Sequence, residues 1–330
     1  MRHFHPFFRN RDLATIAGNF WPRPALDRWP VQATVYRTEP EVQVLAHSQQ
    51  PEGAAKADIL MVHGLEGSST SGYLISLAHA ALTRGYSTAR LNLRGCGGTE
   101  HLALTSYHAG QTSDMLAVVR ERAAQRPIFL IGFSLGGNIA LKLAGELGES
   151  ARDLLAGVCA VSTPIDLAAC AEALGQPRNF LYQRRFVSRL KDRIRRRHLQ
   201  APHIYTTEHL PKIRTIIDFD NYYTAKLFDF GDAATYFRTQ ASNQYLERIR
   251  IPTLLVQAKD DPLIPFSVYR HPAFARNPHL RLITPDHGGH VGFISRRLPR
   301  FWVDGVLLDW IEEISNQTAP VSVTQEGQVS

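Results

Sequence analysis

Residues 127–143, PIFLIGFSLGGNIALKL, decide the fold of this chain. Pro127–Phe133 is a continuous apolar run of the kind that forms a buried strand, and Leu135–Leu147 has the composition of a helix. Ser134 stands between them with a glycine two residues to either side. Glycine permits a strained, tight turn, and a serine in such a strand–turn–helix is held out as a nucleophile.

The same alternation of strand-like and helix-like segments extends in both directions. The further predicted strands are Thr34–Thr38, Val42–His47, Asp58–Val62, Ser87–Leu93, Leu154–Ser162, Pro252–Ala258 and Leu280–Thr284. The further predicted helices are Leu74–Ala81, Gly110–Gln125 and Arg300–Ile314. Strands that alternate with helices pair mostly in parallel and are covered on both faces. The sequence therefore predicts an α/β fold with a mostly parallel central sheet.

This alternation also divides the chain. Residues 31–164 and 247–314 carry the strand–helix repeat and are predicted to form one core. Residues 165–246 interrupt it with long helical, basic stretches, which indicates a helical cap inserted between two strands. Residues 1–30 are rich in proline and aromatic residues and are predicted to be an irregular arm packed on the core. Residues 315–330 are polar and are predicted to be a flexible tail.

The composition excludes several classes of protein. Of 330 residues, 44% are hydrophobic and 20% are charged, which excludes a disordered chain or a collagen-like repeat. No apolar run reaches the roughly 18 residues that span a bilayer, and the N-terminus has no signal-peptide pattern. Three cysteines cannot build a disulfide framework and fit a reducing compartment. We therefore expect a cytoplasmic protein, peripheral to a membrane at most.

A nucleophilic serine needs a base and an acid that orients it. Asp261 follows the strand Pro252–Ala258 and precedes a proline turn, so we choose it as the acid, with Asp260 as the competitor. His290 follows the last predicted strand in a glycine-rich loop and is chosen as the base, with His287 as the alternative. The order serine, aspartate, histidine is the one expected for a nucleophile in this context.

Backbone N–H groups are expected to stabilise the oxyanion. Leu135 follows the nucleophile, and Leu65 lies in the loop after the strand Asp58–Val62, so their amides are the candidates. The His63 side chain is expected to hold that loop by hydrogen bonds. Cys96 lacks a nucleophile's context and is expected in a tight glycine turn with Arg94. No metal or cofactor is expected, because no ligand cluster or nucleotide-binding motif is present.

These segments together resemble the α/β-hydrolase superfamily and, within it, the YheT-like hydrolases of bacteria, which are related to abhydrolase-domain lipid hydrolases. The resemblance covers about residues 4–313 and rests on the motifs at 4–16, 63–69 (HGLEGSS), 91–98 (LNLRGCGG), 132–138 (GFSLGGN), 162–167, 258–262 (AKDDP) and 287–293 (HGGHVGF). It implies a triad of Ser134, Asp261 and His290 with esterase-type activity. The chain departs from the family at residues 12–15, which read DLAT instead of HLQT.

The predicted function is hydrolysis of acyl esters through an acyl-serine intermediate, and lipid-like esters are among the candidate substrates. The same triad could instead transfer the acyl group to an alcohol or a thiol, which would make the protein an acyltransferase. A third reading is a non-catalytic lipid-binding protein on a hydrolase fold, because a fold alone does not establish activity.

The charge is concentrated in one segment of the predicted cap. Nine basic residues and one acid fall between Arg178 and Arg197, so this segment carries a charge of +8. The whole chain carries +7, so the rest of it sums to −1 and is near neutral. Phe186, Leu190 and Ile194 recur at i, i+4 and i+8 with Val187 beside them, which predicts an amphipathic helix that packs its apolar face on the body with its arginines solvated. The alternative is contact of Arg184–Arg197 with an anionic membrane. No nucleic-acid partner is expected, and no pattern indicates an oligomeric state.

Overall fold

The computed structural model describes residues 2–124 and 127–318 and contains one eight-stranded sheet. Its strands are β1 (Gln32–Glu39), β2 (Val42–Gln49), β3 (Asp58–Val62), β4 (Ser87–Leu91), β5 (Ile128–Phe133), β6 (Leu155–Val161), β7 (Thr253–Val256) and β8 (Leu280–Ile283). Their order in the sheet is β1-β2-β4-β3-β5-β6-β7-β8. The β1–β2 and β2–β4 pairs are antiparallel and the other pairs are parallel. The predicted mostly parallel sheet is confirmed.

Helices cover both faces of this sheet, and further helices form a cap. They are α1 (Arg11–Phe20), α2 (Gly72–Thr83), α3 (Thr112–Arg122), α4 (Leu135–Leu147), α5 (Leu167–Leu174), α6 (Phe180–Gln200), α7 (Ile216–Phe219), α8 (Ala225–Leu227), α9 (Ala233–Gln240), α10 (Ala273–Arg276) and α11 (Trp302–Thr318). Along β3, Leu60 and Val62 pack with α3 and α4, whereas Ile59 and Met61 pack with α2 and α11. Side chains that alternate between two covered faces explain why β5 (IFLIGF) is apolar throughout. No helix of the described residues is both long enough and apolar enough to span a bilayer.

The chain between β6 and β7 forms α5–α9 above the carboxyl ends of the strands. Leu190, Ile194 and Val187 of α6 are buried in a small cluster with Phe219 and Tyr223, as the predicted stripe requires. Phe186 of the same stripe is only partly buried and packs against the main core. The expectation that the arginines of α6 are solvated is wrong for two of them. Arg193 and Arg197 are 5% and 1% exposed. The guanidinium of Arg193 pairs with the Glu66 carboxylate, and that of Arg197 donates to backbone carbonyls at residues 100–105. These oxygen atoms allow the two charged groups to be buried.

Both ends of the chain differ from expectation. Residues 11–20 form the helix α1 instead of an irregular arm, because the Asn10 side chain accepts hydrogen bonds from the N–H groups of Asp12 and Leu13 and caps the first turn. At the other end, α11 continues to Thr318, into the stretch predicted as a flexible tail. Residues 319–330 of that predicted tail lie outside the described residues.

Candidate active site

Ser134 lies in the sharp turn between β5 and α4. Its backbone has φ 50° and ψ −122°, a conformation that residues other than glycine rarely adopt. A Cβ at Gly136 would lie 2.5 Å from the carbonyl oxygen of His63, and one at Gly132 would collide with the backbone of Gly136. The glycines therefore allow the strained turn to form against the neighbouring loop, and α4 begins directly behind the serine.

The loop after β8 brings His290 to this serine. His290 Nε2 lies 3.0 Å from Ser134 Oγ, and His290 Nδ1 lies 2.9 Å from Asp261 Oδ2. These two distances join three side chains that are far apart in the sequence into one hydrogen-bonded chain. The Asp261 side chain is fully buried, while His290 keeps 13% of its side chain exposed. The imidazole thus remains open to the cavity in front of Ser134.

Asp261 and Asp260 have different surroundings. Asp261 Oδ1 accepts hydrogen bonds from the N–H groups of Leu263 and Ile264, at 2.9 and 3.1 Å. These two bonds fix the orientation of the carboxylate. Asp260 turns away from His290; its Oδ1 accepts from Gly289 N–H at 2.9 Å, and its Oδ2 lies 3.3 Å from His287 Nδ1. The structure therefore brings Asp261, and not Asp260, to the His290 imidazole.

The loop after β3 lies directly against the nucleophile. A Cβ at Gly64 would be 2.9 Å from Ser134 Cβ, so only glycine allows this approach. His63 Nε2 accepts a hydrogen bond from Leu93 N–H at 3.1 Å, and its Nδ1–H donates to the Gly64 carbonyl at 2.7 Å. Burial lowers the pKa of His63 to about 4, so the ring is neutral. Its contacts are those of a residue that holds the loop.

Leu65 and Leu135 both line the cavity at Ser134. Within the described part of the chain, neither backbone N–H donates to a protein acceptor. Leu135 is the first residue of α4, where the N–H groups of a helix lack intrahelical acceptors and the dipole favours negative charge. Both amides are thus available to an oxygen atom bound near Ser134.

Two cavities meet at Ser134 and His290. The first lies beneath the cap and is mostly apolar, with about 120 Å³ accessible to the centre of a water molecule. Its walls include Leu167, Leu174, Phe186, Leu190 and Phe237. The second is a wider groove of about 490 Å³ between α1, α6 and the loop at residues 64–73, and its lining is half polar.

Other residues singled out in the sequence lie apart from this chain of hydrogen bonds. Cys96 is buried, and burial raises the pKa of its thiol, which keeps it protonated. Arg94 is buried and pairs with Asp114 at 2.6 Å. Asp166 caps the start of α5, since its Oδ1 accepts a hydrogen bond from Ala169 N–H at 3.0 Å.

Sequence reasoning missed two residues near the site. Thr15 of α1 accepts a hydrogen bond from the His290 N–H at 2.9 Å, so the N-terminal helix fixes the histidine loop. Arg193 of α6 lies 2.8 Å from Glu66 Oε1, next to Leu65, and both side chains are under 10% exposed. Thr15 falls within one of the motifs that carry the family resemblance, which is the only signal that pointed to it.

Comparison with known proteins gives the same family. A family model described as alpha/beta hydrolase fold matches residues 59–296. The chain is 33% identical to the putative esterase YheT of Escherichia coli over 81% of this chain and 80% of that protein. It is 30% identical to a monoacylglycerol lipase of Saccharomyces cerevisiae and 27% identical to phospholipase ABHD3 of Mus musculus, over 75% and 76% of this chain. The chain spans only 57% and 61% of those two proteins.

Solved structures are similar in fold. The esterase Pf2001 of Pyrococcus furiosus superposes with a TM-score of 0.57 at 16% identity, over 88% of this chain and 98% of that chain. A 2,6-dihydroxy-pseudo-oxynicotine hydrolase superposes with a TM-score of 0.58 at 19% identity, over 97% and 76% of the two chains. The resemblance drawn from the sequence motifs is thus confirmed: the chain belongs to the α/β-hydrolase family, alongside relatives named as esterases and lipases.

Proposed function

We propose that this protein is a serine hydrolase that cleaves carboxylic (acyl) esters. The observation that carries the proposal is the continuous hydrogen-bonded chain from Ser134 through His290 to Asp261 at the carboxyl ends of β5, β7 and β8. A hydroxyl becomes a nucleophile when an imidazole can take its proton and a carboxylate orients that imidazole. Both requirements are met by side chains within hydrogen-bond distance.

The geometry supports the following sequence of steps. Ser134 Oγ attacks the ester carbonyl while His290 Nε2 takes the hydroxyl proton, and Asp261 stabilises the resulting imidazolium. The N–H groups of Leu65 and Leu135 donate to the oxyanion. His290 then gives its proton to the departing alcohol, which leaves an acyl-serine. Water attacks this intermediate with His290 again as the base, and the carboxylic acid is released.

The substrate is proposed to be lipid-like. The apolar cavity under the cap offers aliphatic and aromatic walls to an acyl chain, whose burial is favourable by about 0.8 kcal/mol per CH₂ group. The half-polar groove on the other side of Ser134 is suited to the alcohol part. In this arrangement the scissile bond lies where the two cavities meet.

Hydrolysis of a p-nitrophenyl acyl ester tests the proposal. Ser134→Ala is expected to lower kcat by about 10⁴-fold or more, because it removes the nucleophile. A fluorophosphonate probe is expected to label the wild type on Ser134 and to leave the variant unlabelled. Cys96→Ala is the control for the other candidate nucleophile and should keep full turnover.

The outcomes separate the three candidate functions. Undiminished turnover in Ser134→Ala would refute the catalytic assignment. A wild type that neither labels nor turns over esters would indicate a non-catalytic lipid-binding protein instead. An acyl group that goes mainly to an added alcohol or thiol, and not to water, would identify an acyltransferase with the same triad.

We also propose that the enzyme works in a reducing compartment, the cytoplasm, and contacts anionic membranes peripherally. Its three cysteines are all free and buried. Within Arg184–Arg197 the buried Arg193 and Arg197 are withdrawn from such contact, and the exposed Arg195 and Arg196 pair with carboxylates of the protein. The exposed Arg184, Arg185 and Arg189 remain for it. Large apolar side chains on α1 and at the start of α6 are exposed beside these arginines, namely Leu13, Ile16, Phe20, Phe180 and Leu181. Basic and apolar groups together are what an anionic lipid surface attracts.

A further inference from the structure

The half-polar groove in front of Ser134 is bordered by two arginines of α6. Arg185 and Arg189 are one helical turn apart and both line the groove that also contains Ser134 and His290. Burial and the positive charge of Arg189 lower the pKa of Arg185, which indicates that the two cations repel each other across a short distance. Like charges at this spacing destabilise a helix unless something neutralises them.

The arginines farther along α6 have carboxylate or carbonyl partners in the protein. Arg193 pairs with Glu66 at 2.8 Å, Arg195 with Asp192 at 2.6 Å, and Arg196 with Glu100 at 2.8 Å. Arg197 donates to the carbonyls of Glu100 and Thr105, at 2.9 Å each. The pair that faces the groove differs from these four.

Neither Arg185 nor Arg189 has a carboxylate within 4.0 Å anywhere in the described ranges, 2–124 and 127–318. The guanidinium of Arg185 lies over the ring of Phe20, with its carbon 5.7 Å from the ring centroid. Arg185 and Arg189 therefore border the groove beside the nucleophile without a carboxylate partner among the described residues. Arginine presents paired donors that match the oxygens of a phosphate group.

We propose that Arg185 and Arg189 bind a phosphate group on the alcohol part of the substrate, so that the enzyme prefers acyl esters of phosphorylated alcohols. This inference rests on the proposed esterase function and adds the leaving-group specificity. The acyl chain enters the apolar cavity under the cap, and the phosphorylated alcohol occupies the groove. Ser68 and Thr70, whose hydroxyl oxygens are 2.8 Å apart, line the same groove.

Two short-chain substrates with the same acyl group test this inference. They are 1-hexanoylglycerol 3-phosphate and 1-hexanoylglycerol, both used as monomers in solution so that no lipid surface contributes. The wild type is expected to show a higher kcat/KM for the phosphate ester. Arg185→Gln/Arg189→Gln is expected to lower kcat/KM for the phosphate ester by about tenfold or more, because two charged contacts are lost, and to change the neutral ester less than twofold.

A control variant removes the same charge from α6 outside the groove. Arg184 and Lys191 line neither cavity, so Arg184→Gln/Lys191→Gln should leave the preference for the phosphate ester unchanged. Glycerol 3-phosphate should inhibit hydrolysis of the neutral ester competitively in the wild type and not in Arg185→Gln/Arg189→Gln. Inorganic phosphate is the second arm, and weaker inhibition by it would show that the groove recognises the phosphorylated alcohol and not the free ion.

Three results would overturn the inference. They are equal kcat/KM values for the two esters in the wild type, an equal loss in both double variants, and an unchanged preference in Arg185→Gln/Arg189→Gln. Each of them leaves the proposed function standing as long as the neutral ester is hydrolysed and Ser134→Ala is inactive. Absence of turnover on both esters would count against the proposed function itself.

Discussion

At the scale of single residues, the two adjacent aspartates after β7 give the sharpest test of the site. Asp261→Asn should lower kcat by about 10⁴-fold, because an amide cannot hold the catalytic tautomer of His290. Asp260→Asn should keep most of its turnover, since that carboxylate contacts Gly289 and His287 and not His290. Steady-state hydrolysis of one p-nitrophenyl ester by both variants measures the difference. A larger loss in Asp260→Asn than in Asp261→Asn would reverse the assignment.

The sequence identified the residue types of the site but not every contact among them. Ser134 and His290 are each marked by a local pattern of glycines around the reactive side chain. The choice between Asp260 and Asp261 depends on which carboxylate receives the N–H groups of Leu263 and Ile264, and that is a property of the folded turn. Thr15 is 275 residues from His290 in the chain, so no local pattern could have linked the two.

At the scale of elements, the sequence predicted the eight strands and the helices α2, α3, α4, α6 and α11, because periodicity reports which face of a segment is buried. It did not predict α1, where the prolines and aromatic residues around the segment concealed a helix of ten residues that Asn10 caps. It also misjudged α6. A run of arginines indicates a solvated surface unless acidic groups face it, and Glu66 is contributed by a loop more than 100 residues earlier in the chain.

The buried contact between α6 and the loop after β3 can be tested by a double-mutant cycle. Arg193→Met should lower the free energy of unfolding by about 3–5 kcal/mol, because it leaves the buried Glu66 carboxylate without its partner. Arg193→Met/Glu66→Gln should cost less than the sum of the two single changes. Urea denaturation of the four proteins measures the coupling.

The control for this cycle is an exposed pair on the same helix. Arg195 and Asp192 are 2.6 Å apart, but their side chains are 56% and 50% exposed. Arg195→Met should therefore change the free energy of unfolding by about 1 kcal/mol or less. Strictly additive effects of Arg193→Met and Glu66→Gln would show that the two residues do not stabilise each other.

At the scale of the whole molecule, one buried carboxyl group is expected to make stability depend on pH. Burial raises the pKa of Asp304 in α11 to about 7, although Ser76 and Arg23 oppose the shift. A folded pKa above the unfolded value of 3.8 means that the folded state holds the proton more tightly. The resulting stabilisation is present at low pH and is lost as the pH rises from about 4 to above 7.

The measurement for Asp304 is the free energy of unfolding at about pH 5 and about pH 8. This group contributes up to about 3 kcal/mol to the fall in stability between them. Asp304→Asn should flatten the pH dependence by that amount, because the amide has no proton to lose. Asp27→Asn, at an exposed position, should keep the wild-type dependence. Equal slopes in the wild type and Asp304→Asn would contradict the expected titration.

The whole molecule also has one side suited to a lipid surface. Leu13, Ile16 and Phe20 recur at helical spacing on α1 and are 52%, 49% and 68% exposed, which is unusual for one face of a capped helix. The guanidinium of Arg185 lies over the Phe20 ring, so α1 and the basic helix α6 form one continuous border of the groove. A membrane that met this border would place the mouth of the groove at the lipid headgroups.

Vesicle co-sedimentation tests this orientation. The wild type should bind vesicles that contain phosphatidylglycerol more strongly than vesicles of phosphatidylcholine alone, since each basic residue near an anionic surface contributes about 1 kcal/mol. Leu13→Ser/Ile16→Ser/Phe20→Ser should reduce binding to both kinds of vesicle, whereas Arg184→Gln should reduce only the preference for anionic lipid. Val31→Ser/Val35→Ser, two exposed apolar positions at β1, is the control and should bind as the wild type does. Equal sedimentation of the α1 variant and this control would show that the α1 side chains contribute no more to vesicle binding than other exposed apolar groups do. The lipid surface would then meet the protein elsewhere.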